Sequence, residues 1–150
     1  MLSLRRLIIP ALTDPFDAPD VLERYAHEPG FLDRWRAFIR ACSLVLLPGL
    51  PREAREWLGA ADEYEQGASS PDRLAEVRQR AWQFHDARRD SSPLAELSGL
   101  RAVMYRLSPK VGVERWHESA WHFLQFCDEA GLREEVWFPL LKEQFPDILG

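Results

Sequence analysis

An all-α fold is what this sequence predicts: one helical bundle over residues 1–150, with about six or seven helices joined by short loops. Three observations predict it. Apolar side chains recur at steps of three and four along most of the chain. No stretch of useful length alternates with period two, and neither Asn-Gly nor Asp-Gly occurs as a hairpin turn. Pro and Gly cut the chain into helix-length pieces. A length of 150 residues fits one domain and buries a sizeable core without a metal or disulfide staple.

Each piece has its own signal. Asp17-Ala18-Pro19 opens a segment reaching His27, because Pro is tolerated in a first helical turn, and Pro29-Gly30 ends it. From Phe31 to about Leu47, the residues Phe31, Trp35, Phe38, Cys42 and Leu46 form an apolar stripe that Leu32 and Ile39 widen. Pro48-Gly49-Leu50-Pro51 is a turn, with Pro51 opening the next helix. That helix aligns Ala54, Trp57, Leu58, Ala61 and Tyr64 and stops at Gly67.

Ser69-Ser70-Pro71-Asp72 reads as a cap followed by proline. Leu74, Val77, Ala81, Phe84 and His85 follow at helical spacing to about Arg89. Ser91-Ser92-Pro93 repeats the cap-plus-proline device ahead of Leu94, Leu97, Leu100, Arg101 and Met104, which continue to Leu107. Ser108-Pro109 and Gly112 break the chain. A long helix is then expected from about Val113 to Ala130 on the stripe Val113, Trp116, Ala120, Phe123, Leu124 and Cys127, ending at Gly131. Arg133 to Phe145 is helical by composition. Pro139 lies inside it, so a break or kink between two short helices is expected there. Loops of two to five residues predict antiparallel packing of consecutive helices. Residues 2–9 are the one place where a strand could hide.

The net charge of −5 argues against nucleic-acid binding, which needs a positive surface to displace counterions. Residues 1–110 hold 16 basic and 16 acidic side chains, whereas residues 111–150 hold three basic and eight acidic. The net charge therefore sits in the last forty residues, either as a solvated helical face or as a docking surface for a basic partner. Met1–Thr13 mimics a short signal peptide, but Pro10 interrupts its apolar run and no small-residue cleavage pattern follows. No other stretch approaches the ~18 apolar residues of a membrane span. Two cysteines, Cys42 and Cys127, suit unpaired thiols in a reducing cytoplasm.

No motif identifies a reaction, and neither a cofactor nor a catalytic residue is predicted. His117 and His122 are five residues apart, so on a regular helix they point about 140° apart and cannot share one metal. Glu118 and His122 are four apart and can pair. His85-Asp86 could serve catalysis only beside a nucleophile, and no Gly-x-Ser-x-Gly elbow occurs. Cys42 and Cys127 sit on apolar stripes and read as small hydrophobes. Of the six Trp, Trp35, Trp57, Trp116 and Trp82 fall on apolar stripes. Trp121 lies beside its stripe and Trp137 neighbours Glu134 and Glu135, so both are candidate exposed anchors for a partner. Asp62-Glu63-Tyr64-Glu65 puts three acids near a helix C-terminus, where they oppose the helix dipole. The candidate partner-binding residues are Asp62, Glu63, Glu65, Glu118, Trp121, Glu134, Glu135 and Trp137.

Pro51-Arg52-Glu53-Ala54-Arg55-Glu56-Trp57 at a helix start, followed by Tyr64, Gly67, Leu74 and Ala81-Trp82, resembles the helical immunity proteins of bacterial toxin–immunity systems. Leu100-Arg101-Ala102-Val103-Met104-Tyr105-Arg106-Leu107 fits as a following core helix. The resemblance spans residues 31–107, and Phe145-Pro146-Asp147-Ile148-Leu149 lies outside its pattern. It implies a non-catalytic inhibitor that binds a cognate toxin in the cytoplasm, and it transfers no catalytic residue; an acidic helical surface adds the expectation of a basic toxin domain. The alternatives are a helical adaptor or regulatory subunit, an enzyme using His85, Asp86 or His117 in a cleft, and self-association through the Trp surface.

Overall fold

A computed structural model describes residues 14–108 and 113–150, and all regular structure among them is helical. The strand candidate at 2–9, the leader-like Met1–Thr13 and the break at Pro109 and Gly112 lie outside the described residues. A single 3-10 turn, Pro15–Asp17, leads into α1 (Ala18–Leu22). Six longer helices follow: α2 (Phe31–Leu46), α3 (Glu53–Glu65), α4 (Pro71–Ala87), α5 (Leu94–Met104), α6 (Trp116–Glu129) and α7 (Glu134–Gln144). A last turn, α8 (Pro146–Leu149), closes the described chain.

The expected stripes form one core. In α2, Phe31, Trp35, Phe38, Cys42 and Leu46 are all buried. Their aromatic rings meet those of α6 edge-on: Phe31 with Trp116 at 4.9 Å, Trp35 with Trp116 at 5.2 Å and Phe38 with Phe123 at 5.9 Å between ring centroids. Ascending residue numbers therefore match along both helices, which run parallel. These edge-to-face contacts each add about 0.5–1.5 kcal/mol beyond area burial. Helix α2 packs chiefly on α7 and α5 rather than on its chain neighbour α3, so the antiparallel expectation for consecutive helices does not reach it. Arg34 at the start of α2 donates from Nε to the Gln144 carbonyl at the end of α7 (2.6 Å) and pairs with Asp147.

Helix α5 is the central element, touching α2, α3, α4 and α6. Its residues Ser98, Gly99, Leu100, Ala102, Val103 and Met104 are buried almost all round, as a core helix requires. Gly99 sits close under Leu50: a Cβ there would come 2.8 Å from Leu50 Cδ2 and push the end of that side chain aside. Gly67 and Gly131 end α3 and α6 in left-handed conformations (φ +75° and +90°). At each, two backbone N–H groups return to the last helical turn, Gly67 to Tyr64 and Ala68 to Glu63, Gly131 to Asp128 and Leu132 to Cys127.

Three expectations are corrected. Helix α7 runs unbroken through Pro139. The proline removes one hydrogen bond, to the Glu135 carbonyl near the helix start, while buried Trp137 and Leu141 pin the chain on either side. The two Ser-Ser-Pro stretches are not equivalent. Ser70 caps α4 by accepting from the Arg73 N–H (3.1 Å), whereas Pro93 itself occupies the cap position of α5, with no side-chain cap bond. Trp82 is 38% exposed rather than core, with the Arg101 guanidinium over its ring at 4.8 Å.

Candidate functional site

Helix α6 buries Trp116, Ala120, Phe123, Leu124 and Cys127, and so turns Glu118, Trp121 and Gln125 outward. Half-buried Asp128 continues the same line, and exposed Glu114 precedes it in the 3-10 turn Val113–Arg115. Trp121 is 43% exposed. Its ring stands at 77° to the neighbouring His122 ring, with centroids 5.7 Å apart, and His122 lies 3.8 Å from Glu118.

A second acidic stretch lies against this face. Asp14, Asp17, Asp20 and Glu23 occupy the 3-10 turn, α1 and their flanks, and all are exposed. Two contacts place them. His117 Nε2 meets Asp20 Oδ1 at 2.6 Å, tying α1 to α6. Phe16 packs edge-on to Trp137 at 5.3 Å, tying the 3-10 turn to α7. Residues 14–23 and 113–136 together hold ten carboxylates and two arginines. None of these ten carboxylates meets a lysine or arginine among the described residues. Their recorded partners are a backbone N–H for Asp14, imidazoles for Asp20 and Glu118, and the Ser98 hydroxyl for Glu129. Acids elsewhere do meet arginines, including Asp33, Asp62, Glu65, Asp86, Glu96 and Asp147.

The candidate residues from sequence divide accordingly. Glu118 and Trp121 lie at the centre of the acidic face. Glu134 and Glu135 occupy the first turn of α7, beside the Trp137 that Phe16 covers. There they also complement the helix dipole. Trp137 is not an exposed anchor: it is 0% exposed, because Phe16, more than a hundred residues away in sequence, lies over it. Asp62 and Glu65 are occupied internally. Arg106, only 2% exposed, donates from one terminal nitrogen to Asp62 (2.7 Å) and Glu65 (3.1 Å), and Arg40 also reaches Asp62 (3.1 Å). Burial works to raise the Asp62 pKa, but the hydrogen bonds and charges of Arg106 and Arg40 hold it below the usual carboxylate value. Glu63 is exposed on the same helix end. Sequence reasoning missed Asp17, Asp20 and Glu23. Their signal was a four-acid run from 14 to 23 without a single cation.

The remaining reactive side chains, apart from His117 and His122, are not among the residues of this face. His85 is buried and its Nδ1 lies 3.0 Å from Asp86. The hydrogen bond with His85, together with Arg89, lowers the Asp86 pKa. Cys42 and Cys127 are fully buried free thiols, and burial, then the hydrogen bond with Cys42, pushes the Cys127 pKa well up and keeps it protonated. The groove between α3 and α4 is lined by Glu53, Glu56, Trp57, Arg73, Val77, Arg80 and Phe84, and includes neither a histidine nor a thiol. His117 and His122 engage different carboxylates, and no cluster of three or more metal-ligand side chains occurs among the described residues. No helix among them is long and apolar enough to cross a membrane.

No family model matches the chain, and neither a curated protein nor a solved structure matches it.

Proposed function

We propose that this chain is a non-catalytic binding protein of the immunity class. It neutralises a basic toxin domain in the bacterial cytoplasm by docking the acidic face of residues 14–23 and α6 against it. One observation carries the reading: ten carboxylates are gathered on adjoining elements, and among the described residues none pairs with an arginine or lysine. Such a field steers a positive partner and fixes its orientation. A helical scaffold with an aromatic at the centre of the charged face supplies the rest of a docking surface. The resemblance of residues 31–107 to helical immunity proteins points the same way.

Affinity capture from the native organism, followed by mass spectrometry, tests this. The expected prey is a basic domain whose activity falls when the purified chain is added back. An acidic prey, or one whose activity the chain leaves unchanged, contradicts the proposal.

A further inference from the structure

Several aromatic rings of this protein carry one of its own cations. Arg101 lies over Trp82 at 4.8 Å and over Phe126 at 4.6 Å. Arg88 covers Phe84 at 4.7 Å, Arg34 covers Phe145 at 4.4 Å, and Lys142 covers Phe138 at 5.0 Å. The chain thus seats its own cations on five rings, one of them Trp82, the other exposed tryptophan among the described residues. Trp121 is the more exposed of the two, and no cation lies over its face among the described residues; its ring contact there is with His122, at an interplanar angle of 77°.

The surroundings of that indole are anionic. Glu118 and Asp128 flank Trp121 along α6, at three residues before and seven after, and Gln125 lies between. Asp20 of α1 reaches the same helix through His117. Arg115 is the one arginine in residues 113–130. An exposed π face with carboxylates on either side is an electrostatic match for a guanidinium. The ring quadrupole attracts the cation's face, while the carboxylates accept its N–H donors.

We infer that the partner of this face is an arginine-bearing protein segment that places one guanidinium over the Trp121 indole beside Glu118, with Asp128, about 10 Å further along α6, adding to the negative field. The inference rests on the docking reading above and adds the chemistry at its centre. Arginine fits better than lysine, because a planar guanidinium stacks on the ring and keeps its edge donors free for the acids.

The test uses the full chain and an octa-arginine peptide as probe, near neutral pH and at low salt. The Trp121 indole Nε1–H resonance is assigned by its loss in Trp121→Phe, and it should shift during the titration. Trp121→Phe keeps an aromatic face and should bind within about threefold of wild type. Trp121→Leu keeps an apolar side chain without the quadrupole and should bind about five- to tenfold more weakly. Unchanged thermal unfolding of both variants confirms an intact fold. If Trp121→Leu binds as tightly as wild type, the stacked guanidinium is wrong while the acidic docking face stands. If the Glu118→Lys/Asp128→Lys double variant binds as tightly as wild type, the face itself fails, and the proposed function with it. An indole shift on concentrating the protein alone would make a second copy the occupant and overturn the inference.

Discussion

Arg106 shows how a single residue can decide which acids are free. Its guanidinium is almost fully buried, so it needs Asp62 and Glu65, and both carboxylates are thereby withdrawn from any partner. Changing Asp62→Asn leaves that charge with Glu65 alone. The expected cost is about 2–3 kcal/mol, somewhat below that of orphaning a buried charge completely, or a fall of about 5–10 °C in Tm. Because the folded-state pKa of Asp62 lies below its ordinary value of 3.8, its ionisation stabilises the fold above that value. This stability is lost as pH falls through the lower, folded-state pKa. Thermal unfolding across the acid range should therefore show the gap between wild type and Asp62→Asn closing below about pH 4. A gap that stays constant to lower pH would show that the charge of Asp62 is not what matters. None of this was legible from Asp62-Glu63-Tyr64-Glu65, since the cation that answers those acids lies more than forty residues downstream. Trp137 was misjudged for the same reason. Neighbouring glutamates are a local signal, while the Phe16 ring that covers it comes from the other end of the chain.

The helices themselves were legible because their causes are local. Phe31, Trp35, Phe38, Cys42 and Leu46 repeat at helical spacing, and all are buried. Gly67 and Gly131 are stops because both adopt a left-handed conformation that side chains disfavour. Replacing either with Ala should cost about 1 kcal/mol. The two Ser-Ser-Pro stretches look alike in sequence and differ in structure, which separates two substitutions. Ser70→Ala removes a formed cap bond and should cost about 1 kcal/mol, whereas Ser92→Ala should lie within about 0.5 kcal/mol of wild type. Equal losses in chemical denaturation would contradict the capping difference. Pro139 was expected to break α7 because a proline forbids one hydrogen bond; packing of Trp137 and Leu141 carries the helix past it. Pro139→Ala restores that donor at an exposed position and should raise stability by about 1 kcal/mol, or roughly 2–4 °C. A lower Tm would show that the proline shapes α7 rather than merely being tolerated.

At the scale of the whole molecule, charge had to be counted in space rather than along the chain. Residues 14–23 and 113–136 carry a net −8 between them, and the rest of the sequence carries +3. Counting by position found the acidic C-terminal part but averaged away the first of these stretches, because arginines elsewhere in residues 1–110 cancelled it. Folding brings the stretches together through Asp20–His117 and Phe16–Trp137. Several of those arginines face other acids instead, as Arg34 faces Asp147 and Arg40 faces Asp62. Self-repulsion within such a face is screened by salt, and so is its attraction for a positive partner. Binding should therefore weaken steeply as ionic strength rises.

The most direct measurement compares partner capture by wild type, by an Asp17→Lys/Glu118→Lys face variant, and by a Glu63→Lys control near the C-terminal end of α3. The account predicts that wild type and control retain the same basic protein, that the face variant loses it, and that retention by wild type falls with added salt. Equal retention by the face variant, or loss with Glu63→Lys instead, would contradict it.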